Sequence, residues 1–131
     1  MDNSGKSALG LDPNVAAGLA YLPICAVNLI MSIIILVTDK TNKLARFHAM
    51  QSLLLMGAAI VGYIVVWILT MIIVVGAGAM NMPSLGILGF LLLAVYGIGL
   101  LAAVVISCIK AFQGEMFKLP VIGNMADNWS N

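Results

Sequence analysis

Two stretches of this chain, Pro13 to Thr38 and Phe47 to Ile109, contain no Asp, Glu, Lys or Arg. Nothing else in the sequence limits the fold so tightly. A helix needs about 20 apolar residues to cross a hydrocarbon core of roughly 30 Å, so the first stretch accommodates one crossing and the second accommodates two with a connection. Composition agrees: 63% of residues are hydrophobic and 8% are charged, whereas an ordinary soluble domain carries about 25% charged residues. The fold class expected is all-α, an integral membrane helical bundle of three transmembrane helices with an interfacial C-terminal segment.

The connection falls at "GAMNMPS", where Gly78, Asn81, Pro83 and Ser84 interrupt the apolar pattern and Pro83 lacks the backbone donor a helix interior requires. One membrane domain over 1–131 is therefore predicted. It has a polar N-terminus at 1–12, crossings at 14–37, 50–77 and 86–110, a basic loop and helix entry at 38–49, a short link at 78–85 and an interfacial tail at 111–131. The second and third crossings form a tight antiparallel hairpin.

Orientation follows from the cations. With three crossings, Lys40, Lys43, Arg46, Lys110 and Lys118 share one side and Lys6 stands alone on the other. The excess of Lys and Arg on cytoplasmic loops then places the N-terminus outside and the C-terminus in the cytoplasm; the membrane expected is a prokaryotic inner membrane. The first crossing reads as retained rather than cleaved, because its flank has one Lys against two Asp and "TDKTNK" stands where small residues would mark a cleavage site. Cys25 and Cys108 fall at different depths, which disfavours a disulfide.

The densest polar cluster, "RFHAMQS", stands at the entry to the second crossing. Asn42 is the expected N-cap. Side chains four apart then stack, so His48, Gln51 and Ser52 share the first two turns while Arg46 sits at headgroup depth. Two readings stay open. In one, Arg46 anchors the helix and the others bond carbonyls or a neighbouring helix; in the other, Arg46, His48, Gln51, Ser52 and Lys118 contact a partner or a lipid headgroup. Asn28 and Ser32 are read as interhelical polar contacts, and Ala58, Gly62, Gly99, Ala103 and Ser107 as small residues that let helices approach. The tail keeps Phe112, Met116, Phe117 and Trp129 in a pattern suited to the membrane interface.

No phosphate loop, nucleophile and base pair, acidic dyad or metal-ligand spacing is visible, so catalytic, cofactor-binding and metal-binding residues are all read as none and the chain as a non-enzyme. Nor does either apolar stretch carry the charged residue a coupled transporter uses. Net charge of +1 gives no basis for nucleic-acid binding. Expected partners are membrane lipids and other membrane subunits, with a homo-oligomer as a further possibility.

"AYL" at 20–22, "RFHAMQS" at 46–52 and Gly114 followed by "KLPVIG" at 118–123 together resemble the Tic20-like, or DUF4870, family of small multi-pass membrane proteins, and the resemblance extends over nearly the whole chain. It implies an accessory or structural subunit of a larger membrane assembly, related to protein translocation. The alternative from a different class is a small self-associating channel or transporter for a lipid or neutral solute.

Overall fold

The computed structural model of the chain describes residues 5–7, 9–21 and 25–131. Among them are five helices and no strand: α1 (Pro13–Leu19), α2 (Cys25–Thr38), α3 (Lys43–Ala79), α4 (Pro83–Phe112) and α5 (Ile122–Ser130). They gather in two compact units. The first comprises Met1–Met56 with Ala103–Asn131, the second Gly57–Ala102.

Local chemistry explains most helix ends. Pro13 occupies the first turn of α1, where its missing N–H costs nothing. Asp39 Oδ1 accepts the N–H groups of Thr41 and Asn42, forming the turn before α3. Asn42 Oδ1 then accepts the Ala45 N–H at 3.1 Å, so it is the N-cap the sequence predicts. At the end of α3, Asn81 is left-handed (φ 51°). Its N–H reaches Gly78 O while the Met82 N–H reaches Ala77 O, which together close the last carbonyls. The same device ends α4 with Gly114 (φ 77°) in the left-handed position, bonding Ala111 O, and Glu115 bonding Lys110 O. Pro83 then starts α4, again at a position where no donor is needed.

The first stretch departs from expectation. A single crossing over 14–37 is predicted, yet α1 ends at Leu19, Ala20 and Tyr21 form a turn, and α2 is described from Cys25. Pro23 supplies the reason in sequence terms: it disfavours a helical residue before it and removes a helical donor. Residues 22–24 lie outside the described residues, as does the side chain of Cys25; Cys108 is a free thiol. Among the described residues two helices, α3 and α4, are long and apolar enough to cross a membrane. At 14 residues, α2 measures roughly 21 Å, short of a bilayer core.

In the first unit a small-residue core, Ala16, Ala20, Ile35, Ala45 and Ala49 with Leu11 and Leu36 packed against it, brings α1, α2 and the start of α3 together. Alanines at the contact permit close backbone approach. Phe112 lies flat over Gly18, where any Cβ would collide with its ring, and the Cys108 thiol sits 3.7 Å from Gly18 O.

The second unit is an antiparallel helical hairpin. Thr70 Oγ1 donates to Gly89 O at 3.0 Å, and a Cβ on Gly89 would stand 3.1 Å from Thr70 O. Further along, Tyr96 lies over Gly62 and its hydroxyl donates to Ala59 O at 2.6 Å. The outward surface is almost wholly apolar: Val61, Ile72, Val75, Phe90, Val95 and Ile98 are all more than half exposed. A soluble monomer does not tolerate a contiguous apolar surface of this extent.

Candidate functional site

The polar entry to α3 lies entirely within the first unit, and its partners are mostly backbone. His48 Nε2 is 2.8 Å from the Glu115 carbonyl, which only accepts, so Nε2 carries the proton. The other nitrogen of a neutral ring is an acceptor. The Tyr21 hydroxyl, 3.2 Å from Nδ1, donates to it. Gln51 Nε2 in turn donates to the Tyr21 oxygen at 2.8 Å and to Phe117 O at 3.0 Å, while Gln51 Oε1 accepts the Leu119 N–H at 3.1 Å. Every donor in this relay faces an acceptor. A protonated imidazole would turn Nδ1 into a donor against the tyrosine oxygen and leave the tyrosine proton without an acceptor.

His48, Gln51 and Tyr21 are each buried to the last few square ångströms, and the rings of Tyr21 and Phe47 meet the imidazole edge-on at 5.5 and 5.0 Å. Ser52 extends the cluster by sharing its hydroxyl proton between Ala20 O at 2.5 Å and Asn28 Oδ1 at 2.8 Å.

Arg46 serves two helix ends. Its Nη1 donates to Leu36 O at 2.9 Å, in the last turn of α2, and to Asp39 O at 3.0 Å, just beyond it, and its Nε donates to Ser130 O at 2.8 Å at the end of α5. A guanidinium here satisfies carbonyls that no helical N–H can reach and meets the negative ends of both helix dipoles. Lys118 lies on the outside. Its Nζ is 2.6 Å from Asp127 Oδ2, and Asp127 Oδ1 is 3.8 Å from Lys43. The Lys118 hydrogen bond, followed by the charges of Lys118 and Lys43, holds the Asp127 carboxyl below its ordinary range.

The segment gripped by Gln51 is itself unusual. Val121 has φ 64° and ψ −57°, and the Ile122 N–H bonds Pro120 O at 2.7 Å, a γ-turn of the strained hand. The Gly123 N–H reaches Leu119 O at 2.8 Å, and a Cβ on Gly123 would stand 2.6 Å from Lys118 Cα. Only glycine allows so close a return of the chain. The arrangement closes a non-helical segment by lending it side-chain partners, which irregular backbone in or near an apolar medium requires.

Residues 12–126 match the family described as the magnetosome magnetite crystal formation protein family. The chain belongs to that family. Among curated relatives, a UPF0132 membrane protein of Methanocaldococcus jannaschii is 32% identical over 126 residues, covering 96% of each chain. A second from the same organism is 29% identical over 93% of this chain and 73% of its own. A UPF0132 membrane protein of Archaeoglobus fulgidus is 30% identical over 87% of this chain and 91% of its own. No solved structure matches. These findings overturn the resemblance to the Tic20-like, or DUF4870, family: the match across residues 12–126 is to the magnetosome family, and the relatives are UPF0132 membrane proteins.

In this member of the magnetosome family the sequence-predicted residues fall into distinct groups. Arg46, His48, Gln51, Ser52 and Asn28 come together as described. Ser32 is fully buried, but its hydroxyl has no partner among the described residues, so the interhelical bond expected of the pair is made by Asn28 alone. Gly62 packs under Tyr96, whereas Ala58 is exposed and nothing lies within 4 Å of a Cβ placed on Gly99. Within the hairpin the approach of the helices is set instead by Tyr96 and by the Thr70 to Gly89 contact, which leaves Ala58 and Gly99 open to contacts outside it. Ala103 is half-buried and Ser107 fully buried with an unpartnered hydroxyl. Sequence reasoning missed Tyr21, Asp39 and the Thr70 to Gly89 contact. For Tyr21 a signal existed: a phenol in a run this apolar requires a partner.

Proposed function

We propose that the chain is a non-catalytic, accessory or structural subunit of a membrane assembly. The second unit makes its contacts with acyl chains and with other membrane helices. The observation that carries this reading is the division of chemistry in the molecule. The donors of His48 and Gln51 are engaged inside the first unit, while the second unit presents Val61, Ile72, Val75, Val95 and Ile98 outward. A protein whose Tyr21, His48 and Gln51 cluster is satisfied internally and whose exterior is apolar acts through packing and recruitment. Lys40, Lys43, Arg46, Lys110 and Lys118 argue for a cytoplasmic C-terminus, and the relatives in Methanocaldococcus jannaschii and Archaeoglobus fulgidus argue for a prokaryotic cytoplasmic membrane. The family's description concerns magnetite crystal formation, whereas the archaeal relatives are named only as membrane proteins. We infer that the shared element is the membrane scaffold rather than the mineral.

A second reading is self-association into a channel or transporter for a lipid or neutral solute. The open positions at Gly97 and Gly99, where a Cβ would meet nothing within 4 Å among the described residues, favour it. Purification of the tagged chain from native membranes in mild detergent, followed by native mass spectrometry, separates the two. A stoichiometric foreign protein supports the subunit reading. A species at a defined multiple of 13.8 kDa with no other chain refutes it in favour of self-association.

A further inference from the structure

We propose that the first apolar stretch does not cross the membrane but forms a re-entrant helical hairpin, α1 and α2. It enters one leaflet, contacts the acyl chains of that leaflet, and leaves by the side it entered. The inference rests on the reading of the chain as an integral membrane protein and is independent of any partner. It follows from where the two ends of the hairpin are tied. At the outgoing end, Leu36 O and Asp39 O are held by Arg46. At the incoming end, a Cβ on Gly114 would stand 2.9 Å from the Asn14 amide, and the next residue's carbonyl, Glu115 O, is bound by His48. Asn14 and Leu36 are therefore both tied to the first turns of α3, at positions two residues apart. A straight helix over the same 22 residues would separate them by roughly 33 Å.

The contacts between these ends give the depth. Ala20 O and Asn28 both meet Ser52, and Tyr21 meets His48 and Gln51. Going inward from Asn14 or from Leu36, the chain reaches the level of Ser52, only six residues along α3 from Arg46. Six residues of helix rise about 9 Å, and even the 14 residues of α2 amount to roughly 21 Å, against a core of about 30 Å. Non-helical backbone at such a turn is tolerated in a membrane where protein side chains satisfy it, and Ser52 does so at Ala20 O.

Acyl chains are the occupant that the exposed surface fits. Along α2, Ile30, Ile33 and Val37 stand exposed on one stripe while Ser32 and Ile35 on the other face are fully buried. The stripe ends at Thr38, followed by Asp39 and Lys40, as expected for a helix whose end meets the headgroups. The tail of the same unit carries a second stripe, Val121, Met125 and Trp129, at spacing four and exposed. Lys118 and Asp127 are paired beside it. Val121 is held outward at 74% exposure by a strained turn, an arrangement that makes sense against lipid rather than water.

The test is sidedness. On a background of Cys25→Ala and Cys108→Ala, Lys6→Cys and Asn124→Cys are labelled separately with a membrane-impermeant maleimide in right-side-out and inside-out vesicles, after carbonate extraction confirms insertion. Both positions lie on the surface of the first unit. A re-entrant hairpin requires Lys6→Cys and Asn124→Cys to react in the same vesicle orientation, each with at least a tenfold preference. Reaction in opposite orientations establishes a third crossing and overturns the proposal while leaving the membrane reading intact. Release of the chain by carbonate overturns both. Should the cysteine-free background fail to accumulate, protease protection of epitope tags at the two ends of the unaltered chain asks the same question with the same two answers.

Discussion

Gln51→Leu distinguishes a latch from a docking site. The substitution keeps the volume and removes three hydrogen bonds: from Nε2 to Tyr21 Oη, from Nε2 to Phe117 O, and from the Leu119 N–H to Oε1. Tyr21 keeps its bond to His48, so the lasting damage is two orphaned backbone groups, Phe117 O and Leu119 N–H. Each buried orphan costs about 1–3 kcal/mol, giving roughly 2–6 kcal/mol, and the half-buried setting of residues 117 and 119 favours the lower half. Hydrogen bonds within membranes average about 0.6 kcal/mol, which for three bonds gives about 2 kcal/mol and agrees with that lower half. The expected phenotype is local. Residues 115–131 become protease-sensitive and exchange amides faster, and thermal unfolding in detergent falls by several degrees, while α3 and α4 still insert. If tail protection and thermal stability equal those of the unaltered chain, and only a co-purifying protein is lost, the latch argument is wrong and Gln51 is a contact residue.

Five further outcomes follow from the same geometry. Arg46→Lys cannot bridge three carbonyls at once and should loosen α5, with a loss of about 1.5–3 kcal/mol for the charged hydrogen bonds removed; amide exchange in residues 122–130 reads it directly. Val121→Gly relieves a positive φ (64°) and should stabilise the tail by roughly 1 kcal/mol, seen as a higher melting temperature. Gly114→Ala places a Cβ 2.9 Å from the Asn14 amide at φ 77° and should cost about 1–2 kcal/mol or more. Gly99→Ala adds a methyl to open space and should leave the monomer as stable or up to about 1 kcal/mol more so, so a drop in oligomer size in that variant would point to self-association. Finally, because Asp127 titrates below its ordinary value of 3.8, its pairing with Lys118 and Lys43 stabilises the tail above that value and is lost as pH falls beneath it. Asp127→Asn should weaken tail protection at neutral pH and make no difference in strong acid.

The positions of charge made much of this fold legible. The second charge-free stretch becomes α3 and α4, broken near Pro83, and Asn42 caps α3, because these features depend on neighbours in sequence. The first stretch reads in sequence as one helix because hydropathy averages over Pro23 and over the break between α1 and α2; length and apolarity are the same for one continuous helix and for two shorter ones. The polar residues of the entry were visible, but their partners were not. Glu115 O, Phe117 O, Leu119 N–H and Ser130 O are backbone groups 66 to 84 residues away, and every residue has such groups, so no pattern in the sequence distinguishes the ones that are bound.

The same point explains why the family resemblance misled. The stretches that carried it, "AYL", "RFHAMQS" and "KLPVIG", meet in space. Ala20 O and Tyr21 come from the first, Arg46, His48, Gln51 and Ser52 from the second, and Leu119 and Gly123 from the third. Their shared task is to satisfy irregular backbone at the end of a helical hairpin, a problem set by the apolar surroundings and not by any substrate. A motif that solves a folding problem identifies an architecture and says nothing about the activity built on it. For this chain, then, activity is to be sought on surfaces the latch leaves free: the outward face of the 57–102 hairpin, and the α2 and α5 stripes of the first unit. Substitutions on those faces that change recruitment without changing stability would locate it, whereas substitutions in the latch should alter stability first and recruitment only as a consequence.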